Sequence, residues 1–156
     1  MNGRHVLIGS LAVVLVVSWS FPRGAAGQSQ LANAKAVRCA FQRVAVGSWQ
    51  NERSPGAVVR ESVLVLRFDS IDLDSGLAQL RNGSVGSDVT VRSAEGYLHF
   101  MQAFRTGPLY TTTVFGAGSS GATFKAVHSR HEYFSVPVPD ATSSPEQYYG
   151  ECEIGR

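Results

Sequence analysis

The sequence has few cysteines and few long apolar runs, and each shortage excludes a class of protein. Only two of its 156 residues are cysteines. Neither Cys39 nor Cys152 has a second cysteine or a histidine at the spacing of zinc ligands, so no metal site is expected. After residue 27 no apolar run approaches the roughly 20 residues that a membrane-spanning helix needs. We therefore expect no stable membrane span in that part of the chain.

A strong net charge is also missing. The chain has 14 basic and 12 acidic residues. Two of the basic residues, Arg4 and Arg23, lie in the N-terminal segment that we predict to be removed, so the remaining chain is balanced. Without a net positive field there is no electrostatic reason to expect nucleic acid or an anionic membrane as partner.

Residues 1–27 are predicted to be a signal peptide. Arg4 is followed by an apolar run of about 14 residues, from Val6 to Trp19, and then by small residues up to Gly27. The run is shorter than the roughly 20 residues of a spanning helix, and small residues at this spacing are typical of a signal-peptidase site. We expect cleavage after Ala26 or Gly27 and a secreted or periplasmic protein. An uncleaved N-terminal anchor is the alternative.

The two cysteines lie near the two ends of the predicted mature chain, residues 28–156, which has the length of a single domain. In an oxidising compartment such a pair usually forms a disulfide. A bridge between Cys39 and Cys152 would place the first and last strands side by side. A catalytic or metal-binding thiol is the alternative interpretation.

Period-two alternation of apolar residues dominates the mature chain and predicts strands. In the first strand, Val37 to Trp49, the expected apolar face continues through Ala45 to Trp49. Asn51 to Gly56, with Pro55-Gly56 as its strongest signal, predicts a turn or short loop before the second strand. No helical period is present. The further predicted strands are Val58 to Phe68, Leu77 to Arg81, Val85 to Arg92, Tyr97 to Phe104, a hairpin over Leu109 to Phe134, and Glu146 to Ile154.

Short connections between these strands predict an all-β domain, an antiparallel meander of about eight strands. Closing the sheet into a barrel removes its exposed edges, and a disulfide between the first and last strands is compatible with closure. The predicted fold is therefore a closed or nearly closed barrel. A two-sheet β-sandwich is the alternative.

Two resemblances accompany this pattern. Gly47-Ser48-Trp49 near the start of the strands resembles the G-x-W opening of the calycins, the lipocalins and avidins, which implies a barrel that holds a small apolar ligand. The later lipocalin signatures are missing, so no ligand-contacting residue is carried over. The segments ID…G.A, TTVF, AVHSRH and QYYG.C together are similar to exported bacterial proteins of unknown function, which implies no activity.

The run from Val127 to His131 carries the most reactive side chains. On a strand His128 and Arg130 share one face, whereas Ser129 and His131 share the other, so the two histidines diverge and do not chelate one metal. If the His128 face points inward, His128 and Arg130 need partners such as Tyr110, Thr112 or an acid. Such a network either fixes the strand register or contacts a ligand. The candidate ligand-binding residues are His128, Arg130, Tyr110 and Trp49.

Three functions are compatible with these residues. The first is a non-enzymatic barrel that binds a small or hydrophobic ligand and needs no cofactor, and a preformed apolar cavity would favour it. The second is a structural or protein-interaction module of the cell envelope, favoured by a barrel that is filled by its own side chains, Phe41, Leu66, Phe100 and Phe124. The third is a hydrolase using His128-Ser129-Arg130-His131, which requires an acid beside one of these side chains in a cleft. We assign no catalytic residue.

Overall fold

The computed structural model describes residues 24–50, 54–82, 85–117, 122–132 and 144–155. Residues 1–23, most of the predicted signal peptide, lie outside that part. A short helix, α1 (Gly24–Ala32), precedes eight strands. The strands are β1 (Val37–Gln50), β2 (Ser54–Asp72), β3 (Leu77–Asn82), β4 (Val85–Ala94), β5 (Tyr97–Ala103), β6 (Leu109–Phe115), β7 (Thr123–His131) and β8 (Glu146–Ile154).

Each strand pairs antiparallel with the next strand in the sequence, and β8 returns to pair with β1. The sheet is therefore a closed ring of eight strands in meander order. This confirms the predicted all-β antiparallel meander, closed or nearly closed as a barrel. The predicted hairpin over Leu109 to Phe134 is also confirmed, as the pairing of β6 with β7.

The disulfide joins β1 to β8 at their point of closure. Cys39 lies directly opposite Cys152 in the strand register, and the two sulfur atoms are bonded at 1.99 Å. Neither residue is exposed to solvent. The predicted bridge is confirmed, and it closes the ring covalently at one end of the barrel, which we call the disulfide end.

Aromatic side chains fill the barrel near the disulfide end. Phe41, Phe68, Phe100 and Phe124 are all at most 2% exposed. The rings of Phe68 and Phe100 are stacked, with centroids 3.8 Å apart. Burying such large apolar surfaces is the main favourable contribution to folding. This half of the barrel is therefore a packed core.

A β-bulge between Phe41 and Arg43 changes the inward face of β1. The strand register shifts there against both β2 and β8. A one-residue shift moves every following side chain to the opposite face. Val44 is consequently buried, at 2% exposure, where the uninterrupted alternation placed Ala45 inward. The predicted face of β1 was right up to Phe41 and wrong beyond the bulge.

Pro55 and Gly56 belong to β2, so the predicted turn over Asn51 to Gly56 does not extend to these two residues. Residues 51–53 lie outside the described part of the structure. Pro55 lies opposite Trp49 of β1. On its other side β2 pairs with β3 only from Arg67 onwards, so no described strand pairs with the edge of residues 54–66. Proline lacks the N–H that a central strand must donate, but an edge strand tolerates it.

The helix α1 was not expected from the sequence. It has nine residues, and it leads into β1 at the disulfide end. Leu31 is buried there at 1% exposure, and Ala34, just after the helix, at 4%. One apolar anchor in nine residues leaves no period to detect in the sequence.

No helix within the described ranges has the length and apolarity to cross a membrane. The predicted cleavage position after Ala26 or Gly27 falls within α1.

Candidate functional site

A group of polar side chains occupies the barrel interior at the end opposite the disulfide. We call it the polar-end cluster, and its members are Tyr110, His128, Arg130, Glu132, Glu146 and Tyr148. The alternation of β7 explains how it forms, because Phe124, Ala126 and His128 are buried in turn and Arg130 follows on the same face. One face of a single strand thus passes from the apolar core to charged groups.

The structure brings three of the four predicted ligand-binding residues together. Arg130 lies opposite Tyr110 in the register of β6 and β7, and His128 is the next inward residue of β7. The ring centroids of Tyr110 and His128 are 6.0 Å apart. Trp49, the fourth residue, is part of β1, but its side chain lies outside the described part of the structure.

His128 is the innermost member of the cluster and is only 4% exposed. Its Nδ1 is 2.8 Å from the Thr112 hydroxyl oxygen, whereas its Nε2 is buried without a hydrogen-bond partner. Burial, and then the charge of Arg130, lowers the pKa of His128 to about 4. The imidazole is therefore neutral near pH 7.

A cavity of about 20 Å³ adjoins His128, and its wall includes Phe100 and Gln102. That volume is about the size of one water molecule. The cavity can hold one water molecule beside a buried polar group, but it has no room for a ligand. Among the described residues the interior next to the aromatic core is therefore filled, as expected for a solid barrel.

Arg130 lies between two tyrosines. The centre of its guanidinium group is 5.3 Å from the ring centroid of Tyr110 and 5.1 Å from that of Tyr148. Both distances are in the range of cation–π attraction. Its Nη1 is 3.6 Å from Oε2 of Glu146, and its Nε is buried without a partner. The rings thus hold the guanidinium in place while one of its donors remains unused.

Glu146 is the buried counter-ion of the cluster, with 2% of its side chain exposed. Its Oε2 accepts a hydrogen bond from the hydroxyl of Tyr148, and its Oε1 is 3.8 Å from Nη2 of Arg60. Burial and this hydrogen bond raise the pKa of Tyr148 to about 12, so the phenol stays protonated. Two arginines and a tyrosine therefore compensate the carboxylate of Glu146.

The carboxylate of Glu132 has fewer partners than that of Glu146. Glu132 is 8% exposed, and its Oε2 accepts a hydrogen bond of 2.8 Å from the hydroxyl of Tyr110. Its Oε1 is buried without a partner, and no ion pair joins Glu132 to a cation among the described residues. Burial, followed by the hydrogen bond to Glu132, raises the pKa of Tyr110 to about 12.

Sequence reasoning predicted an acid near His128 without identifying one. Glu132 continues the inward series of His128 and Arg130 at the same two-residue spacing, so the alternation of β7 contained a signal for it. Glu146 reaches the cluster only through the pairing of β8 with β7. That pairing is a long-range contact, which periodicity within one strand does not reveal.

The run proposed for a hydrolase does not assemble into a catalytic arrangement. Ser129 faces outward, where Nε2 of Gln147 donates to its hydroxyl at 3.4 Å, and His131 is exposed. His128 faces inward against Thr112, and no described acid forms a hydrogen bond with it. A nucleophile, a base and an orienting acid therefore do not meet in this run.

Larger depressions lie outside the cluster, among them a cleft beside α1 and a groove on the outer wall. A cleft of about 670 Å³ lies between α1 and the ends of β7 and β8, and its wall includes Asn33, Lys35 and Phe124. A groove of about 380 Å³ on the outer wall is lined by Tyr97, Phe115 and Tyr149, among others. Neither depression contains a charged group that is buried without a partner in the described residues.

Comparison of the chain with known protein families, characterised proteins and solved structures gives no match. The resemblance to calycins, drawn from Gly47-Ser48-Trp49, therefore stays a prediction. A function has to be inferred from the geometry of the site itself.

Proposed function

We propose that this protein is an exported, disulfide-closed β-barrel that binds a small polar ligand at its polar end. In this proposal it is a binding protein whose site is the polar-end cluster, with Arg130 and Glu132 as contact residues. This places the ligand at the mouth of the barrel rather than inside it.

One observation carries the proposal: three buried polar atoms lack hydrogen-bond partners, on two inward residues of β7 and on the residue that directly follows this strand. They are Nε2 of His128, Nε of Arg130 and Oε1 of Glu132. Burying an unsatisfied polar group costs about 1 to 3 kcal/mol, and more when the group is charged. Buried polar groups without partners are rare in native proteins. They are found mainly at functional sites, where a ligand or an ordered water forms the missing hydrogen bond.

The packing of the core argues against a ligand deep in the barrel. Phe41, Phe100 and Phe124 are buried in the region that a container barrel would leave empty. Leu66 packs against the same core. The cavity of about 20 Å³ beside His128 is far below the roughly 300 Å³ of a typical ligand pocket. The remaining interior positions with unsatisfied polar atoms are those of the polar-end cluster.

Native mass spectrometry tests the proposal directly. The chain is produced with its own N-terminal segment, exported and purified from the envelope fraction under mild conditions. We expect a defined small-molecule adduct on the purified protein. Arg130→Gln removes the cation of the cluster and should abolish the adduct, while circular dichroism and the thermal midpoint report whether the barrel remains folded.

Arg38→Gln is the matched control, because Arg38 is exposed on β1. That variant should retain the adduct. An adduct of equal occupancy in the parent and in Arg130→Gln would contradict the placement of the site. Bare parent protein, combined with no thermal stabilisation by a panel of small metabolites, would contradict ligand binding altogether.

Export is part of the proposal and has its own support and test. The buried Cys39–Cys152 bridge is of the kind that persists in an oxidising compartment outside the cytoplasm. N-terminal sequencing of protein recovered from the periplasm or medium should begin at Gly27 or Gln28. Recovery of the intact chain from the cytoplasm, with both thiols reduced, would contradict export.

The filled barrel and the outer-wall groove support a second candidate function, that of a protein-interaction module. Tyr97 is 39% exposed and Tyr149 is 44% exposed, and both line the groove. Exposed tyrosines are enriched at protein interfaces. If this function is correct, a photo-crosslinker at position 149 should yield one defined cross-linked species in the envelope. A crosslinker at Arg67, on the exposed face of β2, is the control. Equal yields at both positions would contradict the interpretation.

A further inference from the structure

The charges around Glu132 indicate which ligand the polar end would take. The charged groups of the cluster are the cation Arg130, with 23% of its side chain exposed, and the buried anions Glu132 and Glu146. Arg130 pairs with Glu146 at 3.6 Å, and the other cation near Glu146, Arg60, has 64% of its side chain exposed. His128 is neutral near pH 7. Within the cluster itself there is thus an excess of one carboxylate over the cations.

That excess resides on Glu132. Its carboxylate receives one hydrogen bond, from the Tyr110 hydroxyl, and the oxygen Oε1 receives none. A carboxylate that is 8% exposed and has neither a counter-ion nor a full set of donors is unfavourable. A partner that supplies both positive charge and N–H donors would satisfy it.

The tyrosine that contacts this carboxylate packs against a second aromatic ring. The Tyr110 ring, whose hydroxyl contacts Glu132, packs edge-on against Phe104 with centroids 4.8 Å apart. Phe104 is 38% exposed, so this corner borders solvent. A carboxylate beside aromatic rings is the usual protein environment for an organic ammonium group.

Resting on the proposed function, we propose that Glu132 is the recognition residue for a ligand that carries a primary ammonium group. The ammonium donates to Oε1 of Glu132 and lies against the corner formed by Tyr110 and Phe104. Arg130 stays paired with Glu146 and presents its free Nε to an acceptor on the same ligand. The ligand class is thus a small amine with a hydrogen-bond acceptor elsewhere in the molecule.

Amide chemical-shift titration of the ¹⁵N-labelled, exported protein tests this assignment. The probes are propylammonium chloride, sodium butyrate and propanol, each added at constant ionic strength to remove general screening effects. Propylammonium should cause saturable shifts at the amides of Tyr110 and Glu132, while butyrate and propanol cause none. Glu132→Gln keeps the shape of the side chain and should weaken propylammonium binding about tenfold or more, the usual size of a charge-assisted hydrogen bond.

Two controls separate recognition from folding. Glu61→Gln alters an exposed glutamate of β2 and should leave the affinity unchanged. Tyr110→Phe removes the hydrogen bond to Glu132 but keeps the carboxylate, so it should bind propylammonium even if Glu132→Gln does not fold.

Three outcomes with propylammonium would overturn the assignment. They are linear shifts with propylammonium, undiminished binding by Glu132→Gln, or loss of binding equally in Glu61→Gln. Saturable binding of butyrate at the same amides would also overturn it, yet would leave the polar end as a binding site. The adduct experiment above decides that separate question.

Discussion

Nδ1 of His128 and the hydroxyl oxygen of Thr112 lie 2.8 Å apart inside the barrel, on directly opposite residues of β7 and β6. Both residues are buried, at 4% and 2% exposure. This contact lies where the aromatic core ends and the charged cluster begins. His128, which is neutral near pH 7, therefore lies between the aromatic core and the polar-end cluster.

The stability of the protein should fall in mild acid because of His128. Its pKa is lowered from 6.5 to about 4 in the folded protein. Between these values the unfolded chain binds a proton that the folded chain does not, so the free energy of unfolding decreases as the pH falls through that range. The contribution is on the order of 3 kcal/mol. Urea denaturation at a series of pH values measures it.

The contribution of His128 to this pH dependence is isolated by comparing variants. The charged or titratable groups that face His128 are Tyr110 on β6, Tyr148 on β8 and Arg130 on its own strand. His128→Gln should flatten the pH dependence between about pH 6.5 and 4, and His131→Gln, at an exposed position, should not. Equal slopes in His128→Gln and the parent would contradict this account.

Reducing the disulfide should destabilise the barrel strongly. The bridge joins residues that are 113 positions apart, and closing a loop of that length stabilises a protein by about 4 to 5 kcal/mol in the chain-entropy model. The double variant Cys39→Ala/Cys152→Ala should lose stability of that order in urea denaturation. The unreduced parent should take up no alkylating agent. Two alkylated thiols without prior reduction would contradict the bridge.

Removing the carboxylate of Glu146 should be costly, because the partly exposed Arg130 would lose its ion-pair partner. Leaving one member of a fully buried pair unpaired costs about 3 to 5 kcal/mol, and the partial exposure of Arg130 reduces the expected loss to about 1 to 3 kcal/mol. Glu146→Ala should show such a loss in denaturant unfolding. Glu151→Ala removes an exposed glutamate from the same strand and should change stability by less than about 0.5 kcal/mol. Similar effects of the two substitutions would show that the ion pair contributes little.

Gly150 should not tolerate a side chain. A Cβ atom there would collide with the carbonyl oxygen of Ala40 and lie 2.6 Å from Cα of Phe41, both backbone atoms beside the bulge of β1. Gly150→Ala should therefore destabilise the closure between β1 and β8 by about 1 to 3 kcal/mol or more.

Gly47→Ala is the matched control for that substitution, because its Cβ would come no closer than 3.5 Å to a neighbouring atom. Thermal unfolding of both variants checks the prediction. A stability loss in Gly47→Ala equal to that in Gly150→Ala would show that the cost arises from the glycine backbone rather than from the close approach.

Much of the fold was predictable because local signals agreed with it. Alternation located all eight strands, and the two cysteines identified which strands close the ring. The errors have local causes. The bulge after Phe41 depends on contacts with β2 and β8. Pro55 is tolerated within a strand because β3 is too short to pair with that part of β2. The helix α1 offers one apolar anchor, Leu31, and no period.

The candidate site was predictable in part. His128 and Arg130 were expected on one face of β7, and Tyr110 was a suggested partner. The pairing of β7 with β8, which brings Glu146 opposite Arg130, joins segments that a long connection separates. Alternation gives the face of a side chain but not the neighbour across the sheet. The unsatisfied oxygen of Glu132 is a property of the folded site alone.

The overhang of β2 past β3 has a consequence for how the protein behaves at high concentration. A closed barrel offers no backbone groups to a foreign strand, but residues 54–66 of β2 keep one row that no described strand pairs with. Exposed valines such as Val63, at 96% exposure, favour the pairing of that edge with a strand of another molecule. Pro55, Arg60 and Glu61 interrupt it with a missing donor and two charges, the devices by which natural sheets resist edge-to-edge aggregation.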